Sequence, residues 1–350
     1  MTQKYILNET PIRTSVGYKI NDITIKDLTL PARATPFNTV EAIADGVEIE
    51  GVTSPSPLTY GCGKTLEENM STYCNSHFHL YSKENGGKCR LNYVFDDDHT
   101  ELSNHIVIDT EKDMDVTIVY RSTTEKKCYH NAILQINASK GAKIHVEVIN
   151  LLNEATNHFL SVENQVKDDS IIEIVMVDMG AKNSLSNVYS NILDKQGEAL
   201  INVVYVGQND NLKDMNHITH LRGKKSIADI DLQGVLLDKS KKNLKFTIDF
   251  KSGCTGAKGA ENESCMMLSK DARAISLPIL LCTEDDVEGA HSAAAGKADP
   301  EQVFYIMSRG FSKQDAVKML VRAKFNAILE KLNDQDLRAE IIAEVDRRLS

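Results

Sequence analysis

The sequence predicts a mainly β protein, with a mixed N-terminal region over residues 1–100, a strand-rich core over 101–297 and an α-helical domain over 298–350. Three observations carry this reading. Short β-rich runs recur through the core, several of them alternating apolar and polar residues, which is the period-two pattern of a half-buried strand. No proline occurs between Pro57 and Pro278, so every backbone N–H in that interval is free to join a ladder. The last fifty or so residues carry helix-start signals followed by apolar residues at helical spacing.

The first hundred residues are turn-rich, as in Gly51-Val52-Thr53-Ser54-Pro55-Ser56-Pro57 and Glu84-Asn85-Gly86-Gly87-Lys88, and define only short elements. Strand runs then appear at Val116–Tyr120, Ala132–Ile136, Ile144–Ile149, Ile171–Val177, Leu200–Val206, Ile227–Leu236 and Leu244–Phe250. Turn formers such as Ser139-Lys140-Gly141-Ala142 and Asp194-Lys195-Gln196-Gly197 separate them. Periodicity alone does not distinguish a sandwich from a β-helix. In the tail, Asp299-Pro300-Glu301-Gln302 offers an acidic N-cap, proline at the first helical position and Gln at the capping-box position, with a stop at Arg309-Gly310. Ser312-Lys313-Gln314-Asp315 opens a second helix and Asn333-Asp334 a third, on which Leu337, Ile341, Ile342, Val345 and Leu349 line one face. These helices suit a cap over the end of the β domain and equally a docking platform for another protein.

Composition narrows the function. Hydrophobic residues make up 41% and charged residues 26%, the balance of a soluble globular protein. A formal net charge of −10 argues against a nucleic-acid partner. No apolar run approaches a membrane span, and the first ten residues lack a signal-peptide pattern, so a cytoplasmic location is expected. Seven cysteines, an odd number in a long chain without that pattern, do not read as a disulfide framework.

Several constellations could carry chemistry. Gly61-Cys62-Gly63-Lys64-Thr65 resembles the end of a phosphate-binding loop, but Leu58 stands where that loop needs glycine. Cys74, His77, His79 and Cys89 form a metal-like group without the two close pairs of a zinc finger. An enzyme built on that group would need a catalytic motif, and no nucleophile elbow or zinc-protease motif is present. The stretch from Cys254 through Cys265 to Cys282 and His291 gathers thiolates, an imidazole and acidic residues, a donor set suited to iron–sulfur chemistry.

Pro278-Ile279-Leu280, the acidic turn to Val287, Ala290-His291-Ser292-Ala293, Gly296 and Glu301-Gln302-Val303-Phe304-Tyr305-Ile306-Met307-Ser308-Arg309-Gly310 resemble the C-terminal signature of the SufB/SufD family. Leu7-Asn8-Glu9-Thr10-Pro11-Ile12-Arg13-Thr14 resembles short members of that family. The resemblance is specific between about 250 and 325, moderate through the middle and weak in the first hundred residues. It implies a right-handed parallel β-helix core and an iron–sulfur cluster assembly scaffold that is not itself an enzyme. Its implied partners are a SufC-like ABC ATPase docked on the C-terminal helices, a second copy or a SufB/SufD-type paralogue, a sulfur donor and apo-protein acceptors. A transient iron–sulfur cluster is its expected cargo. Cys265 falls where SufB proteins place the cysteine associated with the nascent cluster, and His291 falls on a proposed SufD ligand. The pattern departs at Ser292, where SufB has a carboxylate, and at Gly289, where SufD often has cysteine; Glu288 or Glu284 is the expected substitute for the missing carboxylate. Cys128 lies near the SufB sulfur-accepting cysteine but out of register with it, while Cys254 and Cys282 read as structural thiols. The rival within the family is a supporting, SufD-like subunit that holds no cluster.

Overall fold

The computed structural model describes residues 5–12, 17, 20–21, 23–25, 28–51, 57–82 and 84–350. The turn-rich stretch expected over 51–57 therefore lies largely outside the described residues, as do Arg13 and Thr14 of the family-like start.

The chain opens with β1 (Val40–Asp45), β2 (Val47–Glu50) and α1 (Lys64–Tyr73), then enters a long series of strands. These are β3 (Ser76–Ser82), β4 (Gly87–Phe95), β5 (Glu101–Thr110), β6 (Met114–Ser122), β7 (Tyr129–Ala138) and β8 (Lys143–Leu151). The series continues through β9 (Asn157–Val166), β10 (Ile171–Asp178), β11 (Asn183–Ile192), β12 (Glu198–Gly207), β13 (Leu212–Leu221) and β14 (Ile227–Leu236). It ends with β15 (Lys241–Phe250), β16 (Ala257–Met267), β17 (Arg273–Cys282) and β18 (Val287–Gly296). Three helices follow: α2 (Pro300–Ser308), α3 (Lys313–Leu329) and α4 (Gln335–Arg348).

The even-numbered strands from β4 to β18 form one sheet, the odd-numbered strands from β3 to β17 the other, and every pairing among them is parallel. Consecutive strands thus alternate between two facing sheets, and each full coil returns the chain 27–30 residues later from Met114 onward along the even sheet. The architecture is a parallel β-solenoid. Its ladders begin at Ser76 and Gly87, ahead of the expected core start at 101. Antiparallel β1 and β2 close the N-terminal edge of the two sheets.

Inward-facing Leu, Ile, Val and aromatic side chains from both sheets fill the interior as one continuous core. Burial of this kind is worth about 25 cal/mol per Å² of apolar surface. Tyr205 lies across the backbone of Gly234 so closely that a Cβ there would sit 1.8 Å from the ring. Glycine is required at that position by contact rather than by turn geometry.

The helix starts fall where local signals place them. The side chains of Asp299, Ser312 and Asp334 each accept hydrogen bonds from backbone amides at the N-termini of α2, α3 and α4. The expected cap over the end of the β domain is corrected, however. α3 and α4 lie on the flank, where Val321, Phe325, Ile328, Ile341 and Val345 pack against Val119, Val175, Val204 and Val235 on the outer face of the even sheet. Outward Val119, Ile149, Val175, Val204 and Val235, one from each of the five successive strands β6 to β14 of the even sheet, present an apolar strip that an amphipathic helix pair can cover.

Strands β9, β11 and β13 carry no apolar–polar alternation that marks them in the sequence. Their outward polar residues are buried beneath the N-terminal segment, where Asn8 donates to the Ser186 and Asp214 carbonyls and to the Asp214 carboxylate. Lys245, whose side chain is wholly buried, pairs with Asp214 at 2.7 Å and donates to the Asn8 carbonyl.

Candidate functional site at the open end of the solenoid

The C-terminal edge is uncovered. β17 and β18 are exposed or half-buried along their entire lengths, in contrast to the buried strands beneath them. β18 pairs with β16 on one side only, so its other side presents free backbone N–H and C=O groups.

On β16 the alternation Glu261-Asn262-Glu263-Ser264-Cys265 turns Glu261, Glu263 and Cys265 inward, and all three are buried. Glu263 is fully satisfied. It pairs with Lys242 at 2.5 Å and accepts from the hydroxyls of Tyr205 at 2.8 Å and Ser276 at 2.5 Å. Lys242 also donates to Ser276 at 2.8 Å. Cys265, 3% exposed, sits beside the Tyr205 hydroxyl. Burial pushes its thiol above the usual range; Tyr205, Lys242 and Lys324 pull the other way and Glu263 adds to the rise. In place, Cys265 is a buried, protonated thiol.

His291 on β18 is exposed and stands in register with Glu261, whereas Cys265 stands in register with Ala295. Four residues at about 3.3 Å each separate the two positions, roughly 13 Å along the strand. A single chain therefore does not bring Cys265 and His291 together. Glu288 lies on the opposite face of β18 and reaches Lys258 at 3.0 Å. Glu284 accepts from the Gly253 amide in the neighbouring turn.

The remaining candidates are dispersed. Cys89 is a core residue inside the solenoid, His79 reaches Asp109 at 3.0 Å, and Cys74 lies 3.6 Å from the His77 ring nitrogen. Among the described residues no three His, Cys, Asp or Glu side chains are grouped to hold a metal ion. A helix does follow Gly63, but Cys62 is buried with its thiol donating to the Leu160 and Leu185 carbonyls, so the loop is packed against the odd sheet. Cys128 is a buried thiol donating to the Lys126 carbonyl, and Cys254 is buried. Cys282, read as structural, is exposed at the tip of β17. Glu261 lies within the Cys254–Cys265 stretch, and the alternation along β16 that places it on the Cys265 face is the signal for it in the sequence.

A second surface lies beside the open end. Phe304 and Tyr305 of α2 are 73% and 59% exposed, and a groove of about 490 Å³ lined by Leu268, Val303, Phe304, Met307 and Val317 runs along it. No helix among the described residues is long and apolar enough to cross a membrane.

The family model described as SUF system FeS cluster assembly, SufBD core domain, matches residues 93–324, from the end of β4 through β18 and α2 into α3. The chain belongs to the SufB/SufD family. SufBD proteins take part in iron–sulfur cluster assembly, and the mainly β solenoid with its helical tail agrees with that membership. Among relatives, the iron–sulfur cluster assembly protein SufD of Bacillus subtilis is 26% identical over 73% of this chain and 60% of its own length. A SufBD family protein of Pyrococcus horikoshii is 25% identical over 81% of this chain and 64% of its own. SufD of Escherichia coli is 34% identical over 26% of this chain and 22% of its own. The chain thus spans less than two thirds of the length of these SufBD relatives.

Proposed function

We propose that this chain is a non-catalytic scaffold subunit that builds a transient iron–sulfur cluster where two solenoids meet, in complex with a SufC-like ABC ATPase. The observation that carries the reading is the register of the exposed strand β18 over Cys265. Two-fold pairing of β18 with itself is antiparallel. Centred on Ala293, it sets His291 beside Ala295 of the partner subunit, one strand from the partner's Cys265. The offset of four residues along the strand within one chain becomes a separation of two strands, roughly 10 Å, between two. A mixed thiolate and imidazole set at such a seam holds its cargo less firmly than four buried cysteines would, as transfer to apo-proteins requires.

The exposed aromatic face of α2 is the docking surface for the ATPase. Because α2 follows β18 after only three residues, movement imposed on the helix is passed to the seam. Seven free thiols suit a reducing, cytoplasmic compartment, and the sulfide comes from a sulfur donor.

The second reading is a supporting, SufD-like subunit that pairs with a cluster-holding paralogue. Two SufD-named relatives and Ser292 in place of a carboxylate favour it. Anaerobic reconstitution with iron and sulfide, ATPase co-expressed, separates the two. Visible cluster absorption lost in Cys265→Ser supports the scaffold. Absorption equal in both removes Cys265, and no absorption from either, with the ATPase still captured, leaves the supporting subunit.

A further inference from the structure

We propose that the acidic turn Glu284-Asp285-Asp286 of one copy docks at the lysine-rimmed groove beside α2 of a second copy, and that this contact sets the register in which the two chains pair. The inference rests on the pairing through β18 proposed above.

The strand that forms the seam does little to fix its own register. From Gly289 to Gly296, β18 reads Gly-Ala-His-Ser-Ala-Ala-Ala-Gly, so His291 is the one large side chain that could key two copies together. Small, glycine-containing strands slip readily, because backbone hydrogen bonds are nearly equivalent at each two-residue step. Something beyond the ladder must choose.

Charge at the two ends of β18 supplies the choice. The groove of about 490 Å³ is lined by Lys270, Lys297 and Lys313 and by no carboxylate. All three lysines are exposed, and among the described residues none of their ammonium groups has an ion-pair partner. Asp271 and Glu301 lie outside that lining, and the Asp299 carboxylate is taken up in capping α2. At the opposite end of the strand, four of the five residues from Glu284 to Glu288 are acidic. Glu284 accepts from the Gly253 amide and Glu288 reaches Lys258, but Asp285 and Asp286 are exposed with unpaired carboxylates. One chain therefore carries an unneutralised acidic end and an unneutralised basic end, separated by the length of β18.

Antiparallel pairing centred on Ala293 brings unlike ends together. Gly289 falls opposite the partner's Lys297, with no side chain to obstruct that lysine's ammonium group. Continuing the register past the strand end carries Glu288 and Asp286 over the partner's Ala298 and the partner's Pro300, at the mouth of the groove. Two-fold symmetry repeats the contact at the other end of the seam. A slip of two residues displaces both turns by about 7 Å and takes both off the lysines. Complementary charge of this kind selects register and partner and speeds encounter more than it adds to affinity. The turn meets the lysine end of the groove and leaves the Tyr305 face of α2 to the ATPase, so one helix touches both the partner chain and the ATPase.

Sedimentation equilibrium of the full chain at about 50 and 500 mM salt tests this, since added salt screens exposed charges. Wild type is expected to dimerise more tightly at low salt. Asp285→Lys/Asp286→Lys and Lys297→Glu/Lys313→Glu are each expected to dimerise about tenfold or more weakly there, with unchanged melting temperatures. Mixed together, the two variants regain complementary charge at both ends and are expected to pair within about threefold of wild type. Recovery only in the mixture places the turn of one chain against the groove of the other. Variants that each dimerise like wild type, while Ala293→Pro is monomeric, overturn the inference and leave pairing through β18 standing. Weakened variants that fail to recover on mixing also overturn it. So does Lys297→Glu/Lys313→Glu that dimerises normally but no longer captures the ATPase, because the groove is then the ATPase's. Wild type that stays monomeric, or Ala293→Pro that dimerises normally, overturns the inference and the pairing together.

Discussion

Replacing Lys242 by methionine tests the packing logic that surrounds Cys265. Lys242 and Glu263 both have fully buried side chains, and their ammonium and carboxylate groups meet at 2.5 Å. Removing one partner of such a pair strands a charge where water does not reach, a loss of about 3–5 kcal/mol. Methionine nearly preserves the volume, so little of that loss is cavity formation. Lys242→Met/Glu263→Gln removes both charges and leaves a neutral acceptor for the Tyr205 hydroxyl. Its cost should be no more than about 2 kcal/mol, giving a coupling between the two sites of roughly 2 kcal/mol or more. Urea unfolding followed by circular dichroism, with both single variants completing the cycle, measures it. A Lys242→Met variant within about 1 kcal/mol of wild type would refute the reasoning, because it would mean that the Glu263 charge is solvated or absent. Since Tyr205 links Glu263 to Cys265, the single variant should also let thiol reagents reach Cys265 faster.

Three further outcomes are expected. His145 lies between Glu147 and Glu173 beneath the α3–α4 turn; burial pulls its imidazole down, but hydrogen bonds and charge from both carboxylates outweigh this and hold it up at about 9. A raised folded value means full stabilisation below the unfolded value near 6.5 and loss as pH rises through 9, so the melting temperature should decline between those limits and decline less in His145→Asn. Gly234→Ala should cost roughly 1–3 kcal/mol through collision with Tyr205, read as a shift in the urea midpoint. Phe304→Glu should abolish capture of the ATPase while leaving the melting temperature unchanged, since the ring is 73% exposed; capture at wild-type level would remove α2 from the docking surface.

What the sequence determined by itself is what depends on neighbouring residues. The caps at Asp299, Ser312 and Asp334 were legible because each bonds to amides within three residues. Strands such as β14 were legible because one face meets the core and the other does not. β9, β11 and β13 were hidden because their polar outer faces are buried under a segment distant in sequence, so alternation in burial did not appear as alternation in polarity. The same distinction governs the site. Spacing alone put Glu261, Glu263 and Cys265 on one face of β16. Tertiary structure decided that Glu263 is saturated, because the groups that satisfy Glu263 come from β12, β15 and β17, with Tyr205 lying 58 residues away in the chain. Which buried carboxylate finds a donor depends on which coil is stacked against it, and stacking is a property of the folded solenoid.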